Sequence, residues 1–374
     1  MNCRWLVCAL ALLALSGSAS ARPQHEPRYR LVSYVTAAKE LPRIDAEKLT
    51  AINFAFARIG ANNEVVIDRA NAPELLAGLV GLKARNPGLR ILLSVGGWGL
   101  DGFSDAALTE SSRTRFAESA ARLLVQHRLD GLDVDWEYPT LAGPGIVHRP
   151  EDRRNFTLLL QSLRARFDVL AREQHRQSGD RYLITAALAD REFVAGIELD
   201  RVGSTLDWVN MMTYDFHNSL TPTTGHHAAL SRSQTSPADE RTIEQAVGQF
   251  LAAGVPAEKL VIGVPFYARG FSGVEPHNNG LDQPYSRYDR DYAWPKLVSG
   301  LIDRNGYVRY WDAAAHAPYL WNAQTHSFVT YDDPQSLTLK ADFVKAHKLG
   351  GIMYWEQSQD PDGELLALLA ERLR

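Results

Sequence analysis

Short apolar runs rich in β-branched residues alternate with amphipathic stretches along almost the whole chain. The runs predict strands at 31–36, 51–57, 90–95, 131–136, 182–188, 208–213, 260–265 and 351–355. Between them, apolar positions recur at helical spacing over 111–126, 153–173, 240–253 and 336–348, with a last helix at 363–374. Strands that are apolar on both faces and alternate with helices imply a parallel sheet covered on both sides. Eight such units imply an α/β fold closed into a (β/α)8 TIM barrel. No G-x-G-x-x-G follows the first strand, which argues against an open dinucleotide-binding sheet. No Pro/Thr- or Gly/Ser-rich linker breaks the pattern, so a single domain over 22–374 is expected.

One connection is abnormal. Roughly 80 residues separate the seventh and eighth strands, far beyond an ordinary βα connection. The stretch carries Tyr285, Tyr292, Trp294, Tyr310, Trp311, Tyr319 and Trp321, with a turn signal at Asn305-Gly306. A small α+β insertion subdomain is expected over about 272–331, on the C-terminal rim where this fold places its sites.

The first residues follow a different logic. A positive charge at Arg4 precedes an apolar run from Trp5 to Leu15, then small residues ending Ala19-Ser20-Ala21. This is the pattern of a signal peptide, 1–21, cleaved near Ala21. The run is shorter than the ~20 residues a membrane span needs. Secretion, to the periplasm or the medium, is therefore expected. Cys3 and Cys8 both fall inside it, so the mature chain would contain no cysteine. Its stability would come from the core alone, and thiol catalysis and Cys-ligated zinc are excluded.

Composition changes the picture little. The chain is 45% hydrophobic and 22% charged, with formal net charge −4. No basic excess points to nucleic acid or to a membrane surface. Eight tryptophans suit sugar stacking, although packing explains any one of them equally well. The eleven histidines show no H-x-x-x-H or comparable pattern, so no metal is assigned, and His226-His227 is read as loop surface.

The candidate chemistry lies in Asp130-Gly-Leu-Asp-Val-Asp-Trp-Glu-Tyr-Pro139. Residues two apart on a strand share a face, so Asp133, Asp135 and Glu137 point one way and Val134 and Trp136 the other. With Val134 and Trp136 against the helices, the three acids point into the barrel and rise toward its rim. Like charges on a buried face push at least one pKa upward, which keeps a proton available near neutral pH. Glu137, nearest the rim, is the natural general acid, with Asp133 and Asp135 sharing a proton beneath it. Asp130 has the opposite parity and reads as structural. A divalent-metal site is the competing interpretation, since D-x-D-x-E supplies oxygen ligands.

These residues resemble the D-x-x-D-x-D-x-E signature of glycoside hydrolase family 18, the chitinases and their relatives. Ser94-Val-Gly-Gly-Trp98 is similar to that family's S-x-G-G motif and Met212-Thr-Tyr-Asp215 to its M-x-Y-D motif. The resemblance extends to Gly263-Val-Pro-Phe-Tyr-Ala-Arg269, to Tyr310-Trp-Asp and Pro318-Tyr-Leu-Trp-Asn322 in the insertion, and to Gly350-Gly-Ile-Met-Tyr-Trp-Glu356. It implies retaining hydrolysis of β-1,4-linked N-acetylglucosamine without a cofactor. The substrate's own acetamido carbonyl would attack the anomeric carbon to give an oxazolinium, in place of the usual second carboxylate about 5 Å away.

Carried over by position, Glu137 would protonate the glycosidic oxygen and later activate water. Asp135 would orient the acetamido N–H, and Asp133 would tune Asp135. Tyr214 would donate to the attacking carbonyl oxygen. Trp355 would form the floor under the −1 sugar, and Asp215 would contact the sugar or Glu137. Met212, Tyr138, Tyr267 and Arg269 would line the same pocket, and Trp98 a neighbouring subsite. Ser94 and Tyr34 would tune the Asp133 end of the row.

The resemblance leaves two alternatives. A chitinase-like lectin would bind sugar without cleaving it, but such proteins usually lose the acid, and here the row is intact. An endo-β-N-acetylglucosaminidase acting on N-glycans or peptidoglycan uses the same scaffold. The expected partner is chitin or a chito-oligosaccharide, with the protein acting as a monomer. With no separate chitin-binding module visible, soluble oligomers should be better substrates than crystalline chitin.

Overall fold

The computed structural model describes residues 28–374 apart from residue 178, so the expected signal peptide lies outside the described residues. Eight parallel strands, named here in chain order as the first to eighth barrel strands, form the centre. They are Arg30–Thr36, Ala51–Ile59, Arg90–Gly96, Gly131–Asp135, Leu183–Leu188, Trp208–Met211, Leu260–Pro265 and Gly351–Trp355. Each pairs with the next, and the first pairs with both the second and the eighth, which closes the sheet into a barrel. This is the (β/α)8 architecture.

The surrounding helices bury one face each. Glu110–His127 buries Phe116, Ala117, Ala120, Ala121 and Leu124, and starts at a reciprocal cap between Thr109 and Ser112. Asp152–Glu173 buries Phe156, Leu159, Leu160, Leu163, Phe167 and Leu170 at the same spacing. Pro334–Ala346 begins two residues before the pattern predicts, because Asp333 accepts from the backbone N–H groups of Gln335 and Ser336 and Pro334 occupies the first turn. Among the described residues no helix is long and apolar enough to cross a membrane.

The sixth barrel strand ends at Met211, earlier than the apolar run suggests. Beyond it, the Thr213 hydroxyl donates to the carbonyl of Gly263 and accepts from its N–H, both at 2.8 Å. A side chain thus completes the ladder where the backbone leaves it. Asp215 then adopts φ 60° and turns the chain across the top of the barrel.

After the seventh strand the chain builds a second sheet. Five antiparallel strands run in the order Arg287–Ala293, Tyr267–Ser272, Ser327–Thr330, Ala317–Asn322 and Val308–Asp312. The sheet begins at Tyr267, ahead of the boundary drawn at 272, because Phe266 makes the last barrel hydrogen bond to the Trp355 carbonyl (2.9 Å). Phe271, Tyr319, Trp321 and Phe328 form its core with Val274 and Leu281. Much of the aromatic content of this segment therefore holds the sheet together. The Trp294 indole donates to Glu364 at 2.9 Å, which fastens the insertion to the final helix, Glu364–Arg372.

Candidate active site

Strand parity separates the fourth strand into two chemistries. Val134 and Trp136 face the helices, where Trp136 stacks on Phe103 (centroids 5.3 Å apart) and meets Phe156 edge-on at 5.7 Å. Asp133, Asp135 and Glu137 face inward and rise toward the rim. Register supplies the neighbours of the lowest acid, since Ser94 and Thr185 lie level with Asp133 on the flanking strands.

Asp133 is fully buried and accepts four hydrogen bonds. Tyr34 and Ser94 donate to Oδ2 at 2.8 Å each, and Thr185 and Asn210 to Oδ1 at 2.5 and 3.0 Å. Burial raises its pKa while these four donors oppose the rise. They occupy the lone pairs a cation would use, which weakens the divalent-metal interpretation. They also alter the expected proton sharing between Asp133 and Asp135, because an oxygen that already accepts two donors is a poor partner for a carboxylic proton.

The stronger upward shifts lie one step higher. Burial, then the charge of Glu137, then that of Asp133 push the Asp135 pKa well above the ordinary range. Burial pushes Glu137 up to about 7, and the charge of Asp215 adds to this while the Tyr138 hydroxyl and Asp135 pull it back. Asp135 and Glu137 thus hold a proton between them near neutral pH, beneath the open cleft.

Packing around the acids explains the neighbouring motif. A Cβ on Gly96 would come within 1.9 Å of the Asp135 carbonyl oxygen, and its φ is 121°. Only glycine lets the third strand approach the acid row so closely. The Gly97 N–H then donates to the same carbonyl at 2.9 Å.

A cleft of about 800 Å³ opens above the acids. It brings together Trp98, Asp135, Glu137, Tyr138, Met212, Tyr214, Asp215, Tyr267, Arg269 and Trp355. Asp133 sits below the floor and does not line it. Trp355 is backed by Phe56, stacked at 5.7 Å, and by Tyr34 at 5.4 Å. Trp98 is 56% exposed at the rim and meets Tyr138 edge-on at 6.3 Å. Burial and the charges of Asp135 and Asp215 raise the pKa of Tyr214, so its hydroxyl keeps its proton and stays a donor.

Asp215 anchors part of the cleft lining. Tyr267 Oη and Arg269 Nε both donate to Oδ1 at 2.6 Å, and Arg269 Nη2 donates to Oδ2 at 2.5 Å. Burial alone would raise its pKa, but His227 and Arg269 outweigh burial and hold the carboxyl well below the usual range.

His226 and His227 are buried, contrary to the loop-surface expectation. The loop after the sixth strand passes under the insertion, where His226 Nε2 lies 3.2 Å from Asp312 Oδ2 and His227 packs behind Asp215. Asp130, the acid of opposite parity, pairs with Lys83 and accepts from the Ile91 N–H, away from the cleft.

Sequence reasoning missed other lining residues: Phe56, Phe193, Leu220, Arg241, Asp291 and Gln359. Arg241 pairs with buried Asp190 and lies over the Phe216 ring at 4.8 Å. These two are 51 residues apart in sequence, and no local pattern joins them. Phe56 was within reach, since it extends an apolar strand at the rim end of the barrel.

Comparison with known proteins identifies the family. The family model described as Glycosyl hydrolases family 18 matches residues 30–360. Chitinase A1 of Niallia circulans is 40% identical over 295 residues, which is 75% of this chain and 42% of that protein. Chitotriosidase-1 of Mus musculus is 35% identical over 352 residues, 87% of this chain and 72% of that protein. The chain therefore spans under half the length of the first relative and about three quarters of the second. Among solved structures, a glycoside hydrolase family 18 N-acetylglucosaminidase from Paenibacillus barengoltzii has a TM-score of 0.85 and 39% identity, covering 92% of this chain and 99% of that one.

Proposed function

The chain belongs to glycosyl hydrolase family 18, and on that premise we propose that it is a chitinase that cleaves β-1,4-linked N-acetylglucosamine with retention of configuration. The observation that carries this is the Asp135–Glu137 pair, holding a proton near neutral pH beneath a cleft floored by Trp355.

Glu137 donates its proton to the leaving oxygen, and its pKa of about 7 keeps it protonated in mildly acid solution and about half protonated at neutral pH. The acetamido carbonyl of the −1 sugar then attacks the anomeric carbon. Asp135 holds the acetamido N–H and offsets the positive charge that develops, while Tyr214 donates to the carbonyl oxygen. Water, deprotonated by Glu137, opens the oxazolinium. Asp133 acts through Asp135 from below. Trp355 stacks under the sugar ring, and Asp215, Met212, Tyr267 and Arg269 fix its outer edge. Trp98 and Tyr138 receive the leaving sugar. No cofactor enters this sequence of steps. Export after cleavage near Ala21 and action as a monomer, with one cleft per chain, belong to the same proposal.

The acetamido group provides the test. Chito-oligosaccharides should be cleaved to products that appear first as the β-anomer by proton NMR, and fully deacetylated oligomers should not be cleaved. Cleavage of both at similar rates would contradict substrate assistance.

A second reading is release of single N-acetylglucosamine units from a chain end. It is favoured by the similarity to the N-acetylglucosaminidase from Paenibacillus barengoltzii. The cleft lining mixes the apolar Trp98, Phe193 and Leu220 with the polar Arg269, Asp291 and Gln359. Monosaccharide as the first product from chitohexaose would select it, and dimers and trimers would select the chitinase.

A further inference from the structure

His227 is a buried side chain that the steps above leave unused. Its exposure is 0%, and neither ring nitrogen has a hydrogen-bond partner within bonding distance. A buried polar group left without a partner is destabilising, so its presence beside the site calls for a reason. The backbone fixes its position from two sides. Its N–H donates to Thr330 Oγ1 at 3.0 Å, and its carbonyl accepts from the Phe216 N–H at 3.1 Å. Thr330 belongs to the inserted sheet and Phe216 follows Asp215 directly, so the ring is pinned between the insertion and the site. It meets Tyr267 edge-on at 5.5 Å, and Nδ1 lies 3.8 Å from Asp215 Oδ1.

That separation is too long for a hydrogen bond and less than about 1 Å from becoming one. Burial lowers the His227 pKa against the pull of Asp215, so the ring is neutral at pH 7 and carries one N–H. On Nδ1 that hydrogen faces a carboxylate oxygen. On Nε2 it would leave a lone pair facing the same oxygen, which is repulsive. The surrounding charges are Asp215, Arg269 and Asp332, with Asp332 itself paired to buried Lys340.

We infer that His227 is a positioning residue for Asp215, donating its Nδ1–H to Oδ1 when a bound sugar competes for Tyr267 or Arg269. Hydrogen bonds of this kind tighten as the reacting complex forms. The inference rests on the reading of Asp215 as part of the sugar pocket.

The test compares wild type, His227→Phe and His227→Asn on a fluorogenic N,N′-diacetylchitobioside. The asparagine amide nitrogen occupies roughly the place of Nδ1, whereas phenylalanine keeps the ring and loses the donor. His227→Phe should lose about tenfold in kcat with KM within about twofold, and His227→Asn should recover most of that loss at an unchanged Tm. Wild-type kcat in His227→Phe, or a folded His227→Asn as slow as His227→Phe, would overturn the proposal. Nitrogen-15 NMR of the imidazole rings in wild type gives a readout independent of turnover and of how the variants fold. A protonated Nδ1 at His227 supports the role, and a bare Nδ1 with protonated Nε2 refutes it. Failure of the chitinase reading itself would register differently, as wild type no faster than Glu137→Gln.

Discussion

Arg269 holds Asp215 by both carboxylate oxygens, Nε to Oδ1 at 2.6 Å and Nη2 to Oδ2 at 2.5 Å. The pair ties the first strand of the insertion to the turn after the sixth barrel strand, so a remote segment shapes the pocket wall. Arg269→Leu is expected to cost about 2 kcal/mol, between the limits for surface and fully buried pairs. The sign with pH follows from the depressed Asp215 pKa. Its stabilisation is present above the ordinary value of 3.8 and is lost as pH falls toward the folded value. Urea unfolding of wild type and Arg269→Leu should therefore differ at pH 7 and converge as pH drops below 3.8.

Glu137 gives the opposite sign. Its folded pKa of about 7 lies above the ordinary 4.5, so the folded state binds more protons than the unfolded state in between, and stability falls as pH rises across that window. Glu137→Gln should abolish hydrolysis and yet raise stability at pH 8 by about 2 kcal/mol, with the gain vanishing near pH 4. Thermal melts at the two pH values measure this. In wild type, kcat/KM should fall by one proton's dependence above about 7.

Parity within the fourth strand can be separated from chemistry. Trp136→Ala removes a ring packed between Phe103 and Phe156 and should cost about 3–5 kcal/mol. Because that ring faces the helices, kcat per folded molecule at low temperature should stay near that of wild type. A large loss of kcat with an unchanged Tm would mean that Trp136 faces the site.

Trp98 and Trp355 differ in what supports them. Trp98 is 56% exposed, so Trp98→Ala should leave Tm unchanged and raise KM for chitohexaose by about five- to tenfold, the value of one stacking contact. Trp355 packs on Phe56 and Tyr34 beneath the reacting sugar. Trp355→Ala should lower kcat itself as well as stability, which steady-state kinetics on a disaccharide substrate will show.

The barrel and the acid row were legible because both are written in short-range periodicity. Apolar runs gave the eight strands, and alternation in 131–137 gave the inward face of Asp133, Asp135 and Glu137. What escaped depends on contacts between distant segments. The four donors around Asp133 come from four different strands, so the level at which the proton sits could not be read from spacing. Asp190 and Arg241 meet only because two loops converge at the rim. His226 and His227 read as surface because two adjacent polar residues in a loop usually are, and only the overlying insertion buries them. The cis peptides at Ala55-Phe56, Glu137-Tyr138 and Trp355-Glu356 carry no proline and so no sequence signal.

The central claim is that Glu137 is the acid of an N-acetylglucosamine-specific hydrolase. The most direct measurement is release of fluorophore from an N,N′-diacetylchitobioside by wild type and by Glu137→Gln, with folding of both checked by circular dichroism. Turnover by wild type and a loss of at least about a thousandfold in a folded Glu137→Gln is the predicted result. Equal rates for the two proteins, or no turnover by wild type on this substrate and on chitohexaose, would contradict it.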